Sequence, residues 1–229
     1  VGLRPTWGRV SRYGVLGLAP SLDHVGPMTR TVADAAAMLA VLAGSDENDP
    51  TSLPDNVSDY LGEIRGGLQG LRIGFDPEYG SNGVEVETVA AVEEATQALE
   101  QLGGRLVRVQ MPAFDSRHQD AWVTICSAEA AAEHARTFPS RAGQYGTYFR
   151  SFLERGSQST GVEYARANVV RQELSGAIRR VFRDIDVLAC PSVAYKGCRY
   201  DPVDAYGGTV FDRVETLSGV PTACLSVSS

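Results

Sequence analysis

Lysine, histidine and cysteine side chains supply many of the bases, nucleophiles and metal ligands of enzymes, and this sequence holds few of them. Among its 229 residues Lys196 is the only lysine, so chemistry that needs a lysine must use Lys196 or a residue outside this chain. The histidines and cysteines are His24, His118, His134, Cys126, Cys190, Cys198 and Cys224. No histidine lies at a metal-binding spacing from another histidine or a cysteine, so we predict no metal site and treat the histidines as structural. A zinc site built from residues distant in sequence is the alternative.

The cysteines show no C-x-x-C pair and no regular framework spacing. In a chain of this length with only four cysteines, that pattern favours reduced thiols and a cytoplasmic protein. Cys126 lies within a predicted helix, where it is interpreted as a small buried apolar residue.

Cys190 lies at the carboxyl end of a predicted buried strand, residues 186–190, which Pro191 ends. Open α/β sheets bind ligands at the carboxyl ends of their strands. We therefore predict that Cys190, Pro191 and Ser192 contact the substrate. The alternative is that Pro191 only ends the strand. A nucleophilic role for Cys190 would need a neighbouring base, which the sequence does not assign.

Glycine-rich phosphate-binding motifs are absent. Of the 24 glycines no two stand two positions apart, which excludes the G-x-G-x-x-G dinucleotide fingerprint. Lys196 follows a tyrosine rather than a glycine, which excludes a P-loop lysine, and no G-x-S-x-G motif indicates an α/β-hydrolase.

Hydrophobic periodicity predicts alternating helices and strands. Thr31 is typical of a helix N-cap, with Asp34 three residues later and Gly44 as a stop. Residues 71–75 and 107–111 alternate as strands do, and residues 89–102 between them repeat as a helix does. Three further helices are predicted at about 119–137, 146–155 and 161–184. The order predicts an α/β fold, a mixed and mostly parallel sheet flanked by helices, in one domain over residues 1–229.

The charge and hydropathy of the sequence disfavour nucleic acid and membranes as partners. The net charge is −7, which disfavours direct binding of nucleic acid, and acids interleave with the arginines of the last predicted helix. No apolar run is long enough to span a membrane, and the first residues do not resemble a signal peptide.

Several strings resemble the amidase signature family, in the order in which that family carries them. Residues 1–11, VGLRPTWGRVS, are similar to G-L-K-P-T-x-G-R-V-S, and residues 21–36, SLDHVGPMTRTVADAA, to S-L-D-x-x-G-P-x-x-R-T-V-x-D-A-A. Shorter matches follow at residues 44–50 (A-G-x-D-x-x-D), 186–192 (D-x-L-x-x-P-T) and 217–222 (L-A-G-L-P-A). The fourth match places Cys190, Pro191 and Ser192 at a family strand end, which supports their assignment to the substrate site.

The resemblance implies an amide (C–N) hydrolase that acts on a small-molecule amide with a Ser–cisSer–Lys triad, an α/β/α fold, and no metal or organic cofactor. In the family, the segments that carry the lysine and both serines precede the G-L-K-P-T string. The resemblance therefore implies no catalytic residue in this chain, and Lys196 comes too late to be the catalytic lysine.

The last residues, Ser226–Ser229, depart from the S-V-P-x-G of the family. We therefore expect a partial amidase-signature domain, truncated at both ends and inactive alone.

Three alternatives remain. The chain could be a catalytically inert fragment or binding module on a partial amidase scaffold. It could belong to an aminoacyl-tRNA amidotransferase A-type subunit, whose partner subunit would carry the tRNA contacts. It could also be an unrelated α/β protein with chance matches. The sequence does not indicate an oligomeric state.

Overall fold

A computed structural model describes residues 1–194 and the backbone of residues 222–224. The strands are β1 (Gly2–Arg4), β2 (Arg72–Phe75), β3 (Arg105–Arg108), β4 (Val187–Ala189) and β5 (Thr222–Cys224). The α-helices of the described residues are α1 (Val32–Leu42), α2 (Tyr60–Glu63), α3 (Pro77–Ser81), α4 (Val86–Gln101), α5 (Ser116–Glu133), α6 (Thr147–Ser157) and α7 (Gly161–Val181). Short 3₁₀ turns occupy Ile64–Gly66 and Ala142–Gln144.

A three-stranded parallel sheet has the order β3-β2-β4, with Ile73 opposite Leu106 on one side and Val187 on the other. Strand β1 pairs antiparallel with β5 in a separate two-stranded ladder. The parallel sheet and its helices confirm the predicted mixed α/β fold, and β2, α4 and β3 form the predicted βαβ unit.

Strand β3 begins and ends earlier than the predicted 107–111. The Arg105 amide donates to the Leu71 carbonyl at 2.8 Å, so pairing with β2 starts directly after the glycines that follow α4. The Met111 amide leaves the ladder and donates to the Asp76 carboxylate at 2.7 Å. At the carboxyl edge of the sheet, the Asp76 side chain thus accepts the Met111 amide in place of a backbone carbonyl of a neighbouring strand.

Local capping fixes where the main helices begin. Thr31 Oγ1 accepts the Asp34 amide at 3.1 Å, which confirms the predicted start of α1. Helix α5 begins at Ser116, three residues before the predicted start, because Asp115 and His118 cap each other's backbone. Thr160 and Glu163 form the same kind of capping box at α7.

The core lies where α5 and α7 pack together. Ile125 on α5 and Leu174 and Ile178 on α7 are among its buried side chains. Full burial of one such side chain stabilises a fold by about 1.5–3 kcal/mol. This packing sets the position of α5, whose last turn reaches the cavity described below.

An ion pair also joins Arg72 of β2 to Asp186, the residue directly before β4. Arg72 Nη2 donates to Asp186 Oδ1 at 2.6 Å, and Asp186 Oδ2 accepts the Arg72 amide at 2.8 Å. These hydrogen bonds lower the pKa of Asp186 from its ordinary 3.8 to about 2. The folded state therefore prefers the ionised carboxylate.

We predict that Asp186→Asn lowers stability at neutral pH and removes part of its acid dependence. A carboxylate with a lowered pKa stabilises the fold above its unfolded pKa, and that contribution is lost as pH falls from about 4 to about 2. Urea unfolding of the full-length gene product between about pH 2 and 7 measures this. The difference between wild type and Asp186→Asn should shrink on acidification, whereas Asp120→Asn, at an exposed site on α5, should show no such trend. A constant difference at all pH values would contradict the assignment.

Candidate functional site: a cavity between two loops and the end of α5

A cavity of about 620 Å³ is lined by residues between 12 and 25, by residues 48–50 and by Glu133 at the end of α5. Its volume is in the range of small-molecule sites. The loop of residues 12–25, here called the wall loop, supplies most of the lining. The loop of residues 44–52 lies against it and is here called the acidic loop.

Arg12 joins the two loops. Its guanidinium donates to the Pro20 carbonyl in the wall loop and to the Thr51 hydroxyl in the acidic loop. The same group lies 4.7 Å from the centre of the Trp7 ring, a cation–π contact, and the Trp7 indole N–H also donates to the Pro20 carbonyl at 3.2 Å. The shape of the cavity therefore depends on one cation held by groups from three places in the sequence.

Asp49, in the acidic loop, adds a second link between the two loops. It is buried and accepts the Arg12 amide at 2.8 Å and the Thr51 amide at 2.9 Å. Hydrogen bonds from the Arg12 amide and the Thr51 hydroxyl hold the pKa of Asp49 below its ordinary value. Asp46, in the same loop, also has a lowered pKa, chiefly because Ser11 donates to it at 2.6 Å. Both carboxylates are therefore used to fix loop structure.

His24 contributes a neutral ring to the lining. Its Nδ1 lies 2.6 Å from the Leu22 carbonyl, so this nitrogen carries the proton and donates it. Burial, followed by the nearby charge of Arg4, lowers the pKa of His24, so the imidazole is uncharged at neutral pH. Its Nε2 is buried and has no hydrogen-bond partner among the described residues.

The wall loop is held from the opposite side by α5 and α7. Glu129 accepts hydrogen bonds from the Ser21 amide at 2.8 Å, the Ser21 hydroxyl at 2.6 Å and the Tyr164 hydroxyl at 2.6 Å. Arg171 donates to the Ser21 hydroxyl at 2.9 Å and to the Ser21 carbonyl at 2.8 Å. Burial and the Glu129 hydrogen bond raise the pKa of Tyr164. Ser21 is thus bound through its side chain and both backbone groups.

We predict that Tyr164→Phe destabilises the full-length protein by about 1 kcal/mol, because it removes one hydrogen bond to a carboxylate. Glu129→Ala should cost more, about 2–3 kcal/mol, because it leaves the Ser21 amide and two hydroxyls without their acceptor. Urea unfolding measures both. Tyr13→Phe is the matched control, since Tyr13 is exposed and its hydroxyl forms no hydrogen bond with the described residues. Equal effects for all three variants would contradict the role given to Glu129.

The predicted substrate residues lie at a different edge. Strand β4 ends at Ala189, and Cys190 is half-buried, Pro191 buried and Ser192 exposed beyond it. None of the three lines the cavity, so their contact with substrate stays a prediction. Lys196, Cys198 and residues 217–221 lie outside the described residues.

The other histidines take part in local structure. His118 Nδ1 lies 2.8 Å from Asp115 at the start of α5, and His134 Nδ1 lies 3.0 Å from the Tyr145 hydroxyl. Within residues 1–194, whose side chains the structure describes, no group of three His, Cys, Asp or Glu side chains is placed to hold a metal ion. No helix of the described residues has the length and apolar character needed to cross a membrane.

Sequence reasoning did not find the groups that build the cavity. Arg12, Asp49, Glu129 and Glu133 were not predicted as site residues. One usable signal was present: Glu129 and Glu133 are four residues apart, so they share a face of the predicted helix. Nothing local in the sequence indicated that this face meets the wall loop, since Ser21 and Glu129 are 108 positions apart.

Comparison with known proteins agrees with the architecture. A sequence model of the family described as Amidase matches residues 1–223. The putative amidase AmiD of Mycobacterium tuberculosis (strain ATCC 25618 / H37Rv) is 38% identical over 228 residues, 99% of this chain and 47% of that protein. The A-type subunit of glutamyl-tRNA(Gln) amidotransferase from Myxococcus xanthus (strain DK1622) is 35% identical over 250 residues, 96% of this chain and 51% of that protein.

Solved structures show the same similarity. A bacterial aryl acylamidase of the amidase signature family superposes with a TM-score of 0.78 at 23% identity, over 96% of this chain and 50% of that one. The A-type subunit of glutamyl-tRNA(Gln) amidotransferase from Thermotoga maritima gives a TM-score of 0.68 at 30% identity, over 96% of this chain and 50% of that one.

The chain therefore belongs to the amidase signature family, which confirms the predicted membership. It spans about half the length of the curated relatives it matches.

Proposed function

We propose that the full-length protein hydrolyses a carboxamide C–N bond of a small molecule. The observation that carries this proposal is the meeting of two family strings at one cavity: residues from 21–36 and from 44–50 both line it. Family membership over residues 1–223 supports amide chemistry for the whole protein.

The proposed mechanism uses a Ser–cisSer–Lys triad that lies outside this chain. A neutral lysine takes the proton of the bridging serine, which deprotonates the nucleophilic serine as that serine attacks the amide carbonyl. Backbone amides of a glycine-rich turn stabilise the oxyanion. The amine leaves with a proton, and water then cleaves the acyl-enzyme. The wall loop and the acidic loop would line the space for the substrate.

The acidic net charge of −7 supports small-molecule amides rather than nucleic acid as direct ligands, and the four cysteines without framework spacing support a cytoplasmic protein. We propose both on that basis.

A second candidate is an A-type subunit of an aminoacyl-tRNA amidotransferase. The observation that favours it is the 35% identity to the Myxococcus xanthus protein over 96% of this chain. An enzyme of this kind would need partner subunits, whereas a stand-alone amidase would not. Copurification of partner subunits with the full-length protein, and activity that depends on them, would favour this candidate.

We predict that the full-length gene product releases p-nitroaniline or ammonia from simple aryl or aliphatic amides. A fluorophosphonate probe should label one serine and abolish turnover, and peptide mass spectrometry should map the label outside residues 1–229. A label within these residues would overturn the proposed location of the triad. An absence of both turnover and labelling would instead support the inert binding module.

We further propose that Ser192, with Cys190 and Pro191, contacts the substrate at the carboxyl end of β4. Ser192→Ala should then lower kcat/KM of the full-length enzyme about fivefold, the effect of losing one hydrogen bond. Ser116→Ala, at an exposed position at the start of α5, is the matched control. Unchanged kcat/KM for every amide tested would show that Pro191 only ends the strand.

A further inference from the structure

The charged groups of the cavity are three carboxylates and one guanidinium: Asp23, Asp49, Glu133 and Arg12. Arg12, in the wall loop, donates to Thr51 in the acidic loop, and Asp49, in the acidic loop, accepts the Arg12 amide. Asp23 Oδ2 accepts the Leu18 amide at 2.8 Å and the Ala19 amide at 3.0 Å, so it stabilises the turn of the wall loop. Three of the four charges therefore have structural roles within the lining.

Glu133 differs from these three groups. Within the described part of the chain, its carboxylate forms no ion pair and no hydrogen bond. It lies directly beside Gly17 of the wall loop, where an added Cβ would lie 3.0 Å from Glu133 Oε2. The absence of a side chain at Gly17 leaves room for the carboxylate at the cavity.

The position of Glu133 in its helix is electrostatically unfavourable. It is the last residue of α5, an 18-residue helix, and the last turn of α5 carries no basic residue. The C-terminus of a helix bears partial negative charge, which destabilises a carboxylate and favours a cation. His24 adds no compensating charge because its ring is neutral. Glu133 is exposed to solvent, and a bound cation would add a favourable interaction that no described residue supplies.

The placement of Glu133 is also fixed. Glu129, one turn earlier on the same face of α5, is bound to both Ser21 and Tyr164. This contact sets the rotation and depth of α5 against the wall loop. The backbone of Glu133, one turn further on, is consequently placed beside the cavity by a helix rather than by a loop.

We propose that Glu133 is a specificity-determining residue that binds a cationic group, an ammonium or guanidinium, on the amide substrate. The inference rests on the proposed function, since it requires the cavity to hold substrate. It names the substrate class as amides with a positive charge away from the scissile bond.

The test compares matched amides on the full-length protein. The first pair is an ω-aminoacyl p-nitroanilide and the acyl p-nitroanilide with a methyl group in place of the ammonium. The second pair carries the charge on the amine side: a monoacylated diaminoalkane and the corresponding N-alkyl amide. Each pair is measured over chains of three to six carbons. The proteins are wild type, Glu133→Gln and Glu133→Lys, with Glu154→Gln, an exposed carboxylate of α6 outside the cavity, as control.

For at least one pair, wild type should prefer the cationic member, and Glu133→Gln should reduce kcat/KM for that member about tenfold or more. The loss should be mainly in KM, and the neutral member should change less than about twofold. Glu133→Lys should favour a substrate with a carboxylate at the same position. Glu154→Gln should behave as wild type. A merely structural role for Glu133 would lower both members of a pair equally, and that result, or no change in either pair, would overturn the inference.

Calorimetric titration with the ω-amino amides and their neutral counterparts separates this inference from the proposed function. If wild type hydrolyses none of the amides, the proposed function fails, and the inference is judged on binding alone. Tighter binding of the cationic amide that is lost in Glu133→Gln would support it. Equal binding of both amides, or no binding, would overturn it.

Discussion

The guanidinium of Arg12 is the contact on which the cavity depends. The guanidinium donates hydrogen bonds to the Pro20 carbonyl and to the Thr51 hydroxyl. The backbone amide of Arg12 donates to the Asp49 carboxylate. A buried or half-buried cation is tolerated only where acceptors compensate its lost hydration. Both loops therefore have to keep their present conformations for Arg12 to stay where it is.

The helical layer acts on the same loop from the other side. Glu129 and Arg171 bind Ser21, which directly follows the proline whose carbonyl accepts the Arg12 hydrogen bond. The wall loop is thus held at two adjacent residues by two independent sets of charged groups. Because α5 and α7 also share the main hydrophobic core, the geometry of the cavity is coupled to the packing of these two helices.

Local patterns in the sequence were sufficient for much of the fold. Strand alternation and helical periodicity predicted the βαβ unit, and Thr31 with Asp34 predicted the start of α1, because these signals lie within a few residues of each other. The limits of β3 were missed because they depend on where Arg105 meets Leu71 and on the Asp76 carboxylate. The cavity was missed for the same reason: Arg12, Pro20 and Thr51 meet only through tertiary structure. Two family strings include residues of these loops, but they did not indicate which side chains join the loops.

The spacing of Glu129 and Glu133 on α5 has an evolutionary consequence. One turn of the helix anchors the wall loop and the next turn faces the space the loop encloses. Because the anchoring residue is separate from the residue that we propose binds the substrate's cationic group, exchange of the side chain at position 133 would alter ligand preference while the anchor at 129 stays intact. Such separation allows an enzyme family to diversify its ligands by single substitutions without first acquiring compensating changes in the scaffold.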